Sequence, residues 1–183
     1  MHPYEMQRLL KERRKDRVVG IGQRSSFYQA IGRLQRDGLI VASETVQSGA
    51  RPERTVYAIT DRGRSEFFEN LRAMLAKPRE IFPDFPVAIS YLPLLDVEDA
   101  LSLLDARRAA LAAELADIEA GLAHGIDFLH RMMLLEVEFR RKVVAAELEW
   151  LTEVIGDIRD GRLSWSAESV AAEIARLSPV RAD

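Results

Sequence analysis

Catalytic or metal chemistry in this 183-residue sequence would have to come from three histidines, one Gly-x-Gly and a run of glutamates in the back half. His2, His124 and His130 include no pair at i, i+4 spacing, and no carboxylate cluster accompanies them as a zinc or di-iron site requires. His124, between glycines, reads as a solvated residue of a turn. "GIGQR" falls between two helices rather than after a strand, so it is not a dinucleotide fingerprint. Neither a Gly-x-Ser-x-Gly elbow nor a phosphate loop occurs. The chain has no cysteine, which excludes disulfides, thiolate metal ligands and cysteine redox sensing. The glutamates lie mostly off the apolar stripe of their helix and read as a solvated face. No enzyme, cofactor or metal is expected.

The chemistry that remains is polyanion recognition. Arg24, Ser25 and Ser26 open one helix, on which Tyr28, Gln29, Gly32, Arg33 and Arg36 lie on faces turned away from Phe27, Ile31 and Leu34. Glutamine can pair bidentately with adenine, whereas Ser, Tyr and Arg commonly meet phosphate. The free amides of a helix N-terminus add to phosphate binding. Further on, "RPERTVYAIT" places Arg51 and Arg54 around a proline and then enters a β-branched, aromatic segment. Charge is distributed accordingly. Residues 1–70 carry 13 Lys/Arg against 9 Asp/Glu, whereas residues 71–183 carry 13 against 20. A net +4 is thus joined to a net −7, and a polyanion is expected at the front.

The elements that must position these residues follow from periodicity. Residues 3–15 predict a helix with Pro3 in its first turn and Met6, Leu9 and Leu10 as its stripe. "DRVVGIGQ" breaks it, and a second helix runs Ser25–Asp37 with Gly38 as its left-handed stop. "LIVASETV" and "RTVYAIT" around the loop "QSGARPE" predict two strands, the second with Tyr57 and Ile59 facing inward. Thr60-Asp61 caps a helix that Pro78 ends. Helix, helix, strand, loop, strand is the order of a winged helix-turn-helix, expected over residues 1–78. Residues 79–95 hold three of the seven prolines, directly after Pro78, and predict a linker with one short buried helix.

Residues 96–183 predict a helical domain. Asp96 caps a helix striped by Leu101, Leu104, Leu111, Leu115, Ile118 and Leu122. After "GLAHG" a long helix is expected over about residues 127–160 and ends at Gly161. It carries two stripes. The first is Met132, Leu135, Phe139, Val143, Ala146, Trp150, Val154 and Ile158; the second is Leu134, Val137, Val144, Leu148, Leu151 and Ile155. An apolar arc this wide exceeds what one partner helix covers. One side is expected to pack within the chain and the other, through Met132, Leu135, Phe139, Val143, Trp150 and Val154, against a second copy. A monomeric bundle using both faces is the competing arrangement. A last segment is striped by Val170, Ile174 and Leu177. No run approaches a membrane span, and the first residues lack the apolar stretch of a signal peptide, so a cytoplasmic protein without membrane attachment is expected.

"HPYEMQRLL", "SSFYQAIGRLQRDGLI" and "RPERTVYAITDRGR" resemble, in order and spacing, the PadR family of transcriptional regulators. "FPDFPVAISYLPLL", "LLEVEFRR" and "GRLSW" extend the likeness over nearly the whole chain. The resemblance implies a mainly α protein: a winged helix-turn-helix domain followed by a helical dimerisation domain. It implies a homodimeric repressor on double-stranded DNA at a pseudo-palindromic operator. The helix of Ser25, Ser26, Tyr28 and Gln29 would read the major groove, and Arg51 and Arg54 would lie on the backbone. Many relatives respond to small aromatic or drug-like molecules, for which Phe82, Phe85, Tyr91 and Trp150 are the candidate lining, although such residues also suit a core. The family has glycine where this chain has Ser25, and a further helix before "HPYEM". This chain begins at "HPYEM", from which either a start codon assigned too late or a shortened chain is expected; in a shortened chain the Val170/Ile174/Leu177 stripe would fill the vacated groove. The alternative function is a ligand-binding or protein-interaction dimer that no longer binds DNA.

Overall fold

The structure, a computed structural model, describes residues 1–13, 15, 24–46, 54–78 and 83–177, excepting the side chains of Arg24, Glu44, Thr45, Val46 and Arg54. The chain forms two compact units, Met1–Ile81 and Phe82–Asp183.

In the front unit, helix α1 (Pro3–Glu12) begins where Pro3 fixes φ and His2 Nδ1 accepts the Tyr4 N–H at 3.1 Å. Helix α2 (Arg24–Arg36) buries Phe27 and Ile31, one turn apart on one side. Gly38, at φ 68°, supplies the left-handed stop the sequence predicts. Strands β1 (Ile40–Val46) and β2 (Arg54–Ile59) pair antiparallel from Ile40 opposite Ile59 to Val46 opposite Arg54, with an irregularity between Ala42 and Glu44. Met1 lies along the other edge of β2, its amine donating to Tyr57 O at 2.8 Å and its carbonyl accepting from Tyr57 N at 3.1 Å. Of the two residues expected to face inward, Tyr57 is half-buried, but Ile59 is 46% exposed. It sits at the end of the ladder, where only Ile40 lies opposite and its Cγ1 turns toward Gly63.

Helix α3 (Asp61–Ala76) follows β2 without a loop, and Thr60 makes the junction. Its Oγ1 accepts the Gly63 N–H at 3.0 Å and donates to Gly38 O at 2.8 Å, and its own N–H donates to Leu39 O at 3.0 Å. A Cβ on Gly63 would lie 2.0 Å from Leu39 O, inside contact distance of a backbone atom. Only glycine lets α3 start this close to the stop of α2.

The rear unit is built on an antiparallel hairpin of α5 (Val97–Ile126) and α6 (Leu135–Arg159). Ahead of it come the short α4 (Asp84–Ser90) and a 3-10 turn (Leu92–Leu94); α7 (Ala167–Leu177) follows. The core seam joins Leu104 and Leu111 of α5 to Val144, Leu151, Ile155 and Ile158 of α6. Phe85, Leu101, Leu115, Ile118, Leu148 and Val154 are packed at its margin. Ion pairs flank the seam: Arg159–Asp105 at 2.5 Å, Arg107–Glu147 at 2.5 Å, Arg140–Glu114 at 2.8 Å and Arg141–Glu119 at 2.9 Å.

Three expectations for this unit are corrected. The break does not fall at "GLAHG": α5 continues through His124 and Gly125, and the His124 ring meets Phe128 at a 52° tilt with centroids 5.2 Å apart. The turn comes later, where a 3-10 turn (Arg131–Met133) is capped by His130 Nδ1, so α6 starts at Leu135 rather than near 127 and Met132 precedes it. Gly125 makes room for the buried Leu134, whose Cδ2 would stand 3.1 Å from a Cβ there. Arg131 donates to both carboxylate oxygens of Glu138, and that hydrogen bond holds the Glu138 carboxyl below its ordinary value. The short helix α4 buries none of its residues fully; Phe85 and Ile89 are half-buried. Val170 of α7 is half-buried, and α7 lies against the Leu92–Leu94 turn while Trp165 Nε1 donates to Leu95 O at 2.8 Å.

Gly63→Ala is expected to destabilise the front unit by about 1–3 kcal/mol, as overpacking does, read from the denaturant midpoint of full-length protein. An unchanged midpoint would mean that the junction yields. Leu151→Ala, which empties a wholly buried position, is expected to cost about 2–5 kcal/mol in the rear-unit transition.

Candidate nucleic-acid interface

At 100° per residue, Ser25, Gln29, Gly32, Arg33 and Arg36 fall on one side of α2, with Tyr28 at its margin. Phe27 and Ile31 occupy the opposite side and anchor the helix. Ser25, Ser26, Tyr28, Gln29 and Arg33 are all exposed, and the Tyr28 ring meets Phe27 edge-on at 6.1 Å. Arg36, expected on this side from the sequence, is exposed there as well. Gly32 stands in the middle, and a Cβ there would meet nothing within 4 Å. The face therefore has a low centre ringed by a serine, a glutamine, a tyrosine and two arginines. These groups can donate to and accept from base edges while balancing phosphate charge.

Arg24 opens α2, and Arg54 is the first residue of β2, at the far end of the ladder from Ile40–Ile59. Their side chains, and Arg51 altogether, lie outside the described residues. The hairpin strands run away from Leu39 and Thr60, so Arg54 is carried about 20 Å from that junction at the usual rise per strand residue.

In the rear unit the two stripes of α6 separate. The second supplies Val144, Leu151 and Ile155 to the seam. The first stays largely uncovered: Leu135, Phe139 (71% exposed), Val143 and Trp150 are open, as is Met132 in the preceding turn. Two of its members depart from this. Val154 is packed at the margin of the chain's own core, and Ile158 is buried in it, because the two stripes converge toward the helix C-terminus.

Of the candidate ligand-lining residues, Phe85 and Trp150 meet edge-on at 6.1 Å. Tyr91 is exposed, with no ring contact among the described residues, and Phe82 lies outside them. The sequence reading missed Arg107, whose guanidinium lies 3.5 Å over the Phe85 ring while bonding Glu147. Arg107 and Glu147 are 40 positions apart on different helices, so nothing local marks the pair. No group of His, Asp and Glu among the described residues is arranged to hold a metal ion. No described helix is long and apolar enough to cross a membrane.

Comparison with known proteins bears on both units. Residues 1–69 match the transcriptional regulator PadR-like family. The fold resembles Bacillus subtilis PadR in complex with operator DNA, with TM-score 0.65 and 20% identity over 86% of this chain and 89% of that one. It also resembles Bacillus subtilis PadR in complex with p-coumaric acid (TM-score 0.67, 16% identity, 87% and 90% covered). The PadR-like regulator BC1756 from Bacillus cereus aligns with TM-score 0.60 at 17% identity, covering 88% and 91%. No curated protein sequence matches the chain. The mainly helical winged-helix fold is thereby established.

Proposed function

We propose that this chain, a member of the PadR-like family of transcriptional regulators through its residues 1–69, is a cytoplasmic, homodimeric repressor that binds a pseudo-palindromic operator. The observation that carries this reading is the side of α2 opposite Phe27 and Ile31, where Ser25, Gln29, Arg33 and Arg36 surround Gly32. Such a helix enters the major groove, Gln29 meeting a base edge and the arginines meeting phosphates. Arg24, Ser26 and Tyr28 flank that contact, and Arg51 and Arg54 carry the hairpin onto the neighbouring backbone. The operator complex of Bacillus subtilis PadR supports the partner.

Residues 1–78 are the DNA-binding domain, 79–95 a linker and 96–183 the dimerisation domain in this reading. The uncovered stripe of Leu135, Phe139, Val143 and Trp150, with Met132 before it and Val154 at its end, supports the dimer. It presents large side chains that water would otherwise cover, and a dimer holds two α2 helices about one DNA turn apart. A small aromatic effector, for which the p-coumaric acid complex of Bacillus subtilis PadR is the model, would act beside Phe85 and Trp150. Phe82 and Tyr91 complete that candidate site. By favouring a dimer geometry with the wrong spacing, the effector would release DNA.

Titration against the DNA upstream of its own gene is expected to show binding that weakens steeply with salt. Gln29→Ala should cost about 1–3 kcal/mol on the operator and little on unrelated DNA. Arg33→Ala, Arg51→Ala and Arg54→Ala should weaken both and flatten the salt dependence. A folded dimer with no preference for any upstream sequence would overturn the reading and favour a ligand-binding or protein-interaction role.

A further inference from the structure

We propose that Arg107 is a positioning residue for operator binding: by stacking on Phe85 it holds the short helix α4 to the rear hairpin and keeps the connection to the DNA-binding unit short. This rests on the reading of the chain as a dimeric DNA-binding regulator. It adds a residue that lies outside both the recognition helix and the β-hairpin.

Helix α4 has little of its own to hold it. Its seven residues fall well short of the roughly 12–15 that an isolated helix needs. Pro83, ahead of it, offers no side-chain cap, and none of its residues is fully buried. Phe85 and Ile89 are half-buried, and of these Phe85 is the one packed against the core seam. Two other helices grip the Phe85 ring. The Arg107 guanidinium of α5 lies 3.5 Å over its centroid, and Trp150 of α6 meets it edge-on at 6.1 Å. Arg107 is itself fixed. Its Nε donates to Glu147 Oε1 at 2.7 Å, and an Nη stands 2.5 Å from the same oxygen. A flat, delocalised cation can lie on a ring while donating at its edge, and Glu147 sets its plane. Lysine in its place would keep the ion pair and lose the stacking.

This grip controls the length of the connection. Helix α3 ends at Ala76 and α4 starts at Asp84, so residues 77–83 join them and span at most about 25 Å. With α4 released, the next residue packed against the same core is Leu92, and the connection grows to residues 77–91. The effective concentration of a tethered module falls with about the −3/2 power of tether length. Roughly doubling the connection therefore lowers it about threefold, before any loss of orientation is counted. That loss falls only on binding that engages both halves of an operator.

Full-length Arg107→Lys and Arg107→Ala test this on the operator found by the upstream titration and on a duplex holding one half of it. Each variant should bind the whole operator about threefold or more weakly, with half-site affinity and the dimer dissociation constant unchanged. A Trp165→Phe background leaves Trp150 as the only tryptophan. Its emission should then shift to the red and be quenched more by acrylamide in both variants. Lysine would rescue a role confined to the ion pair with Glu147, so undiminished operator affinity in Arg107→Lys overturns the proposal. An equal loss on the half-site also overturns it, because the effect would then lie inside the DNA-binding unit. A wild-type dimer with no preference for any upstream sequence overturns the regulator reading itself. A wild-type preference that both variants match overturns the positioning role alone.

Discussion

The approach of Gly63 to the Leu39 carbonyl is the constraint on which the front unit depends. Among its described residues this unit fully buries few large side chains, chiefly Phe27 and Ile31. Packing alone leaves the relation between a helix and a two-stranded hairpin loosely fixed, since two strands by themselves are marginal. Thr60 binds Gly38 O, Leu39 O and the Gly63 N–H at one point. The end of α2, the base of the hairpin and the start of α3 therefore cannot move independently. Any contact that α2 and the hairpin make together with a rigid partner inherits its accuracy from this junction.

In the rear unit the limiting quantity is apolar surface. Helix α6 has more of it than α5 can cover, and the hairpin buries only the arc centred on Val144, Leu151 and Ile155. Phe85 leans on one side of Trp150 through an edge-on ring contact, and the Arg107 guanidinium stacks on the Phe85 ring. They cover part of the excess and leave Leu135, Phe139 and Val143 open. The polar design of the unit follows from the same geometry. Charges beside the buried arc are matched within the chain, as Arg107 with Glu147 and Arg140 with Glu114.

The sequence made some of this legible and hid the rest for identifiable reasons. The stop at Gly38, the Thr60 cap and the two stripes of α6 are local, and periodicity or a single special residue reveals them. The start of α6 was misplaced because glycine reads as a breaker. Gly121 and Gly125 lie inside α5, where Gly125 serves a close contact with Leu134 rather than a chain reversal. Ile59 is expected to face inward, but a strand end with one neighbour covers only half of it. On α2 the polar face was readable because the two anchors, Phe27 and Ile31, fix its rotation. Arg107, by contrast, gains its role from residues on two other elements and leaves no trace in its own neighbourhood.

The ion pairs beside the α5–α6 seam are half-exposed and individually weak. Their order along the helices matters more than their strength. Sliding α6 by one heptad would keep an apolar seam but bring Arg107 beside Arg140 in one direction, or Glu114 beside Glu147 in the other. Every such slip turns attractions into repulsions, so the charges act as a check on alignment while the hairpin forms. A core of leucine, valine and isoleucine tolerates several alignments; the arginines admit one.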